Sequence, residues 1–476
     1  MQNKVMENKR QTDESFRDKV STINKEGKRV WIYPKKPKGK LTRAREVVAA
    51  ILLAFLFGAP FIKVNGQPLL LFNIIERKFV IFGVGFWPQD FHLFVLATLA
   101  LIVFIVLFTV VYGRLFCGWA CPQTVFMEMV FRKIEYWIEG DAHKQRALKR
   151  APWTFYKIYK KSLKHFIFYG ISFLIGNTFL AYIIGIDELF KIVTDPPSEH
   201  LGGLTAMILF SGAFYFIFAF FREQVCTMVC PYGRLQGVLL DPNSIVVAYD
   251  FKRGEPRGKI SKKEPTNKKG DCVDCYLCVD VCPTGIDIRN GTQLECVNCT
   301  ACIDACNDVM IKVKRPTGLI WYASYKGISE GIKLRLSPRI AGYTAVLILL
   351  VSLTTILFLS RNPVETTILR TPGVLYQETT DGYLTNLYNV KIINKTFEKK
   401  NIVLKLKSPN GRIKMIGSEL LAKEGNLAES AFFVELPKTE VRFINTPLRI
   451  EVYSGEKMLE EITTSFIGPD SRREKK

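Results

Sequence analysis

Two cysteine-rich stretches, CVDCYLCVDVCP at residues 272–283 and ECVNCTACIDACN at residues 295–307, carry the most specific pattern in this chain. Both have the spacing C-x2-C-x2-C-x3-C, in which three closely spaced thiols are followed by a fourth. The first run contains Cys272, Cys275, Cys278 and Cys282, and the second contains Cys296, Cys299, Cys302 and Cys306. Repetition of one spacing indicates metal ligation by two equivalent loops.

The spacing is that of bacterial two-cluster ferredoxins, in which each 4Fe–4S cluster takes three cysteines from one run and the fourth from the other. On this rule the first cluster is held by Cys272, Cys275, Cys278 and Cys306, and the second by Cys296, Cys299, Cys302 and Cys282. Pro283 favours the exchange because it bars helix continuation after Cys282, although Asn307 occupies that position in the second run. Structural zinc is the alternative, but paired cysteines would suffice for zinc and the remaining thiols would be unexplained.

Long apolar stretches surround the cysteine runs. Hydrophobic residues make up 48% of the chain, and about 20 apolar residues suffice to span a bilayer. Five such stretches lie near residues 44–62, 91–112, 166–186, 201–221 and 340–360. The sequence therefore predicts a multi-domain membrane protein with a five-helix transmembrane bundle.

The basic residues between these spans predict the orientation of the chain. Lys and Arg number 14 before the first span, then 3, 11, 1 and 18 in the successive loops. Because cytoplasmic loops carry the excess of positive charge, the N-terminus and the ferredoxin-like insert are predicted to be cytoplasmic and residues 361–476 periplasmic. The net charge of +22 is then explained by orientation and by anionic lipid, and no nucleic acid is predicted as a partner.

The four remaining cysteines form two C-x-x-x-C-P elements, RLFCGWACPQT at residues 114–124 and REQVCTMVCPYG at residues 222–233. If the helices of spans two and four continue through them, Pro122 and Pro231 mark the helix ends. If the two hairpins are neighbours, Cys117, Cys121, Cys226 and Cys230 converge on one site. Ordinary packing, a third iron–sulfur centre, monovalent copper and a dithiol–disulfide couple all remain open for these thiols. The nearby methionines that could assist them are Met127, Met129 and Met228.

The rest of the chain divides by composition. The predicted segments are a basic cytoplasmic tail at 1–43 that is disordered or lies on lipid, four membrane helices in two hairpins at 44–250, a charged linker at 251–271, the ferredoxin-like domain at 272–320, a return to the membrane at 321–339, the fifth membrane helix at 340–360 and a β-domain at 361–476. Alternating runs such as LYNVKIIN predict strands, and about 110 such residues suit an all-β immunoglobulin-like sandwich. Of the histidines, His92 and His200 both fall on the predicted outer side and could share a site, whereas surface positions are favoured for them and for His143 and His165.

The order of these elements, with the YDFKRGEPRG and RPTGLIWY stretches on either side of the cysteine runs, resembles the CcoG/FixG/RdxA family. Members of this family are iron–sulfur accessory proteins of the cbb-type cytochrome c oxidase. The resemblance covers nearly the whole chain after residue 30.

The resemblance implies a multi-pass protein of the bacterial inner membrane that reduces cupric to cuprous copper during oxidase assembly. Copper is then the substrate, and Cys117, Cys121, Cys226 and Cys230 are candidate copper-proximal or relay residues. The implied partners are the oxidase assembly machinery and copper transporters or chaperones, while no motif identifies the electron donor. A quinol-oxidising protein similar to NapH and a non-catalytic assembly chaperone are the alternatives.

Overall fold

The computed structural model describes residues 22–469, apart from residues 25, 65, 75–77, 88–89, 260–268, 332–337, 363, 374, 397, 418–419, 424–426 and 442. Much of the predicted charged linker and of the predicted return to the membrane lies outside the described residues. The described chain forms two compact units, one from residues 22–60 and 97–351 and the other from residues 61–96 and 352–469.

Within the described residues, five helices are long and apolar enough to cross a membrane. They are Lys40–Phe61, Phe91–Tyr112, Phe155–Ile184, Leu201–Phe221 and Pro338–Leu359. No more than 33% of the most apolar window of any of them is buried in the protein, and none of that window is buried in the fifth. Side chains left exposed on such helices are suited to contact lipid, whose tails are as apolar as they are.

The third span begins at Phe155, well before the apolar stretch predicted from residue 166. Thr154 caps this helix by accepting a hydrogen bond from the backbone N–H of Lys157 at 3.4 Å. The ammonium group of Lys157 donates to the carbonyl of Lys149 at 3.0 Å, so its charge is satisfied within the fold. Hydropathy alone misses this first stretch of the helix because its lysines lower the local average.

The helices of spans two and four do not continue through the cysteine pairs, so the condition under which the two prolines would end them is not met. Span two ends at Tyr112, where Gly113 adopts a φ of 55°, and span four is interrupted by Arg222 at a φ of 54°. Pro122 and Pro231 instead begin new helices directly after the second cysteine of each pair. Proline suits this first helical position because its missing N–H would have no partner there.

Shorter elements complete the first unit. Its remaining helices are Leu115–Trp119, Pro122–Thr124, Arg132–Ile138, Ala142–Arg150, Ile186–Thr194, Pro231–Leu239, Phe251–Gly254, Leu277–Asp280, Ala301–Lys312 and Tyr325–Glu330, with 3₁₀ turns at Ala59–Phe61 and Ile288–Asn290 and π-helical turns at Val125–Phe131, Ile217–Phe221 and Val225–Val229. Strands Val246–Tyr249 and Ile320–Ala323 pair antiparallel and flank the cysteine runs. Val247, Ile303, Met310 and Leu319 form the buried core of this ferredoxin-like region.

A segment of the basic N-terminal tail is packed against the protein, contrary to the prediction that it is disordered or lies on lipid. The backbone N–H of Lys35 donates to the carbonyl of Asp280 at 2.7 Å, and that of Lys36 donates to the carboxylate of Asp141 at 2.9 Å. The guanidinium carbons of Arg29 and Arg222 lie 4.2 and 5.3 Å from the ring of Trp31. These contacts hold residues 29–36 against the ferredoxin-like region and against residues that follow spans two and four.

The second unit is built from antiparallel strands. Its N-terminal region contains the pair Lys63–Val64 and Gln67–Pro68 and a three-stranded sheet of Leu70–Asn73, Lys78–Ile81 and Val84–Phe86. Its C-terminal region contains two larger sheets. The first has the order Arg412–Ile416, Leu427–Pro437, Tyr383–Asn394 and Val364–Arg370, with Gln377–Glu378 also paired to Tyr383–Asn394, and the second has the order Leu420–Ala422, Lys400–Ser408, Asn445–Ser454 and Lys457–Ile467. A 3₁₀ turn lies at Lys438–Glu440.

Both C-terminal sheets contribute to a shared hydrophobic core. In the strand Asn445–Ser454 the buried residues alternate with exposed ones, as the period of two predicts. Tyr388 and Phe432 lie opposite each other in the first of these sheets with ring centroids 5.5 Å apart, and Ile450 of the second sheet belongs to the same buried cluster. The hydroxyl of Tyr388 also donates to the carbonyl of Ser465 at 2.8 Å, which joins the two sheets.

Candidate functional site

Two cavities lie inside the ferredoxin-like region, each bordered by cysteines from both runs. They enclose about 350 and 340 Å³ of empty space, including space open to solvent. The cysteines of the first cavity are Cys272, Cys275, Cys278 and Cys306, and those of the second are Cys282, Cys296, Cys299, Cys302 and, again, Cys278. Each cavity therefore contains three thiols of one run and the last thiol of the other.

The backbone around the middle cysteine of each run has the same unusual conformation. Asp274 and Tyr276 flank Cys275 with φ values of 54° and 57°, and Asn298 and Thr300 occupy the equivalent positions of the second run with φ values of 54° and 64°. Positive φ is uncommon for residues other than glycine. Such strain tends to concentrate at ligand sites, and its recurrence at matching positions shows that the two loops wrap their cavities in the same way.

Burial makes the cysteine thiols that line these cavities weak acids. It raises the pKa of Cys278, Cys296 and Cys306 to about 12 and that of Cys299 to about 11. A bound cation must therefore supply the free energy that keeps the sulfurs as thiolates, since only thiolates ligate metals. Four soft sulfur donors around a buried cavity fit an iron–sulfur cluster.

The two C-x-x-x-C-P elements interlock. We name residues 114–124 the first arm and residues 222–236 the second arm. The guanidinium of Arg114 donates to the carbonyl of Gly233, and the side-chain amide of Gln123 donates to the carbonyl of Arg222 at 3.2 Å. Each end of the first arm is therefore bonded to the opposite end of the second.

The structure brings the four thiols of the arms together. Burial raises the pKa of Cys117 to about 11, and negative charge on Cys121 and Cys230 raises it further. Burial likewise raises the pKa of Cys226 to about 12, with added contributions from all three other thiols of the arms. The four thiols therefore influence one another electrostatically, although among the described residues no three of their sulfurs lie within 4.8 Å of one another. We name the half-buried region that these thiols share the four-cysteine site.

The first arm also lies directly against the second cavity. Cys117 packs on a buried cluster that includes Val297 and Cys299. At Gly118 the approach is so close that an added Cβ would lie 2.5 Å from the carbonyl oxygen of Asn298. Arg45 of the first span ties the arm to the cavity, because it donates to the carbonyl of Gly118 at 2.9 Å and to that of Cys299 at 2.8 Å.

A network of buried and half-buried charges follows the first arm, and the sequence analysis missed it. Its members are Glu128, Arg132, Glu135, Glu139, Lys161, Lys164, Arg222 and Glu223. Arg222 donates two hydrogen bonds to the carboxylate of Glu135, at 2.7 and 2.8 Å, and so joins the start of the second arm to the helix after the first. The first four members recur at intervals of four, three and four residues, which puts them on one helical face and is the signal that could have revealed them.

The methionines and histidines of the sequence analysis lie in different environments. Met127 is buried in an aromatic core, Met129 lines a cavity beside Cys299, and Met228 is 45% exposed. His200 is 2.9 Å from Asp195 and groups with it and Glu199 in a loop before span four. His92 is not a member of that group, so the described residues give no support to a site shared by His92 and His200. His165 is 3.0 Å from the hydroxyl of Tyr215, while His143 is exposed.

Family models match three segments of the chain. A 4Fe-4S binding domain matches residues 94–143, a 4Fe-4S dicluster domain matches residues 221–325, and the "IG-like fold at C-terminal of FixG" matches residues 354–469. The first match contains the cysteines of the first arm, and the second contains those of the second arm together with both ferredoxin-like runs.

Proteins of known name are similar over much of the chain. Protein RdxB of Cereibacter sphaeroides is 34% identical over 80% of this chain and 83% of its own, and Protein RdxA of the same species is 36% identical over 61% and 62%. Nitrogen fixation protein FixG of Rhizobium meliloti is 35% identical over 65% of this chain and 60% of its own. A solved FixG-related protein from Vibrio parahaemolyticus aligns with 22% of this chain and 97% of its own at 18% identity, with a TM-score of 0.19 that supports no structural conclusion.

Apolar helices, 4Fe-4S binding domains and a C-terminal β-domain with an immunoglobulin-like match define a membrane iron–sulfur electron-transfer protein. The chain belongs to the FixG/RdxA family.

Proposed function

We propose that this protein passes electrons from two ferredoxin-type 4Fe–4S clusters to the four-cysteine site, where cupric copper is reduced to the cuprous ion for assembly of a cbb-type cytochrome oxidase. The observation that carries the proposal is the position of Cys117, which shares a site with the other thiols of the arms and also packs on the cavity of Cys299. Each cupric ion takes one electron, and one-electron transfer is the chemistry that iron–sulfur clusters supply when bound.

The ligand assignment of the clusters belongs to the same proposal. Cys272, Cys275, Cys278 and Cys306 would hold one cluster, and Cys296, Cys299, Cys302 and Cys282 the other. The lining of the two cavities supports this division. Arg289 beside Cys278 and Arg45 beside Cys299 lower the pKa of those thiols against the dominant effect of burial, so both arginines favour thiolate ligation.

The four thiols of the arms would act on copper as soft ligands. Thiolates prefer monovalent copper, so a buried thiol site next to an electron source favours the reduced ion. Burial keeps these thiols protonated, and copper binding would therefore release protons. Because of the same preference, the site would hold the cuprous ion after reduction until a copper transporter or chaperone accepts it.

The topology proposed from the basic loops places the N-terminus, both cavities and the arms at the cytoplasmic side of a bacterial inner membrane and the C-terminal β-domain in the periplasm. The relative named nitrogen fixation protein FixG supports a role in a system related to nitrogen fixation, and the role in oxidase assembly rests on the family resemblance of the sequence.

Cupric reduction by the purified protein tests this proposal. Full-length protein is reduced anaerobically, desalted and mixed with Cu(II) while cluster absorption and cuprous ion are followed together. We expect cluster reoxidation with one cuprous ion per electron in the wild type and loss of both in a Cys117→Ser, Cys226→Ser variant with unchanged cluster content. Thr227→Ala, in the same arm, is the matched control and should react as the wild type does.

The outcomes separate the alternatives. Absence of cuprous ion from reduced wild-type protein contradicts copper reduction, and rapid reduction of the clusters by a quinol would then favour quinol oxidation. Equal rates in the wild type and the double cysteine variant would move the copper chemistry away from the arms.

A further inference from the structure

A glutamine that the sequence analysis did not select lies in the four-cysteine site. Gln236 is fully buried, with 0% of its surface exposed, and its side-chain oxygen is 3.4 Å from the sulfur of Cys117. The amide nitrogen of Gln236 is buried too, and it has no hydrogen-bond partner among the residues that the structure describes. A buried donor without a partner costs about 1–3 kcal/mol, so a partner is expected in the working state of the protein.

The position of Gln236 on its helix directs its side chain toward the cysteines of the arms. It lies on the helix Pro231–Leu239, one turn after Gly233. A Cβ at Gly233 would lie 2.7 Å from the carbonyl oxygen of Cys226 and 3.8 Å from the Cβ of Cys230, so this face of the helix packs against the second cysteine pair. Residues three apart share a helical face, and Gln236 therefore continues the surface that contacts the arms.

The two ends of a glutamine amide are interchangeable by rotation. With the oxygen toward Cys117, the amide accepts a hydrogen bond from the thiol. With the nitrogen toward Cys117, it donates to a thiolate, which is the form of the sulfur that ligates a metal. Gln236 can therefore hydrogen-bond to the same sulfur in the free and the metal-bound states.

We propose that Gln236 is a positioning residue of the four-cysteine site, whose amide donates a hydrogen bond to the sulfur of Cys117 when that sulfur binds cuprous copper. The inference rests on the proposed copper chemistry of the arms. The donated bond satisfies the unpartnered nitrogen and fixes the direction of the sulfur. Residues that orient metal ligands in this way typically contribute about 10- to 100-fold to metal affinity or activity.

The test measures the affinity of the full-length protein for Cu(I), by competition with a chromogenic chelator at verified cluster content. Gln236→Leu removes both hydrogen-bonding groups at similar size, and Gln236→Glu keeps the size but replaces the donor with an acceptor. We expect both variants to bind Cu(I) about 10- to 100-fold more weakly than the wild type. Gln145→Leu, which removes a buried amide outside the arms, should leave the affinity unchanged.

A spectroscopic measurement separates the hydrogen bond from packing. A hydrogen bond to a metal-bound thiolate lowers the energy of its lone pairs, so the copper–thiolate absorption of Gln236→Leu should shift to longer wavelength. Suppose that Gln236→Leu, or Gln236→Glu alone, binds Cu(I) with wild-type affinity while the double cysteine variant has lost Cu(I) binding. That result would overturn the proposed role of the Gln236 donor. Equal Cu(I) affinity in the wild type and the double cysteine variant would overturn the copper role of the arms and the role of Gln236 with it.

Discussion

The closest approach between the first arm and the second cavity is at Gly118, and Gly118→Ala should weaken electron transfer without removing the clusters. The added methyl carbon would start 2.5 Å from the carbonyl oxygen of Asn298. Because carbon and oxygen approach to about 3.3 Å in the tightest favourable contacts, the arm and the loop must separate by roughly 0.8 Å. Overpacking of this size typically costs about 1–3 kcal/mol, which strains the fold without unfolding it.

The separation has a direct consequence at the site. Arg45 bridges the carbonyls of Gly118 and Cys299 with bonds of 2.9 and 2.8 Å, and both bonds cannot be kept when the two carbonyls move apart. Cys117 moves with Gly118, so the thiol site withdraws from the second cavity. We therefore expect slower reoxidation of the reduced clusters by Cu(II), with cluster content and Cu(I) affinity near those of the wild type.

Anaerobic stopped-flow absorption in the cluster bands measures this rate. Gly212→Ala is the matched control, because a Cβ at Gly212 in span four meets no heavy atom within 4 Å. Wild-type reoxidation by Gly118→Ala protein with full cluster content would refute the idea that electrons leave through the contact at Gly118.

Three further predictions concern the groups that hold the site. Burial raises the pKa of Glu135, but its ion pair with Arg222 prevails and lowers the value to about 2. The stabilisation of the folded state, about 3 kcal/mol, should be complete above about pH 4.5 and lost as the pH falls toward 2. Thermal unfolding should therefore show that Glu135→Gln is less stable than the wild type at pH 7 and that its melting temperature changes less between pH 4.5 and 2. Asp304→Ala removes a carboxylate that accepts 2.7 Å hydrogen bonds from both the backbone N–H and the hydroxyl of Thr42 at the start of the first span. The free energy of unfolding should fall by about 2 kcal/mol. This loss would be measured as disappearance of cluster absorption at a lower temperature, with Asp304→Asn as the milder control. Cys282→Ser should remove the second cluster and spare the first, which iron analysis with electron paramagnetic resonance would check; loss of the first cluster alone would contradict the exchange of fourth ligands.

Local chemistry explains what could be predicted from the sequence. The size of a metal site determines the spacing of the cysteines within each run, so the grouping of the thiols around the two cavities could be predicted from the sequence alone. The apolar spans are equally local, and all five helices include the predicted stretches almost entirely. The third span begins earlier than predicted, because the charge of Lys157 is satisfied by the carbonyls of Lys149 and Ala151 just before the helix, which no hydropathy average can represent.

Tertiary contacts explain what could not be predicted. The basic tail has only a short apolar run at residues 30–34, and Trp31 of this run is held in place because Arg29 and Arg222 lie beside its ring. The interlocking of the arms depends on bonds such as that from Gln123 to the carbonyl of Arg222, whose partners are far apart in the chain. The sequence left open whether the two prolines end or begin helices, because proline is compatible with both, and the positive φ of Gly113 and Arg222 shows that the span helices end before the cysteine pairs.

The charge network explains why the arms can hold their thiols in a fixed arrangement. Compared with an apolar pair of similar size, a buried ion pair adds little to stability, because the cost of removing both charges from water offsets most of their attraction. Loss of the charge on one partner alone is costly, because the other charge then stays buried without a counter-charge. The pair of Arg222 and Glu135 is therefore better understood as a device that fixes geometry, since misplacing either arm would leave a buried charge without its partner. The second arm is held by this pair, and the first arm is held by Arg45 and by the contact at Gly118. Because both arms are anchored in this way, the positions of their four thiols are set when the chain folds.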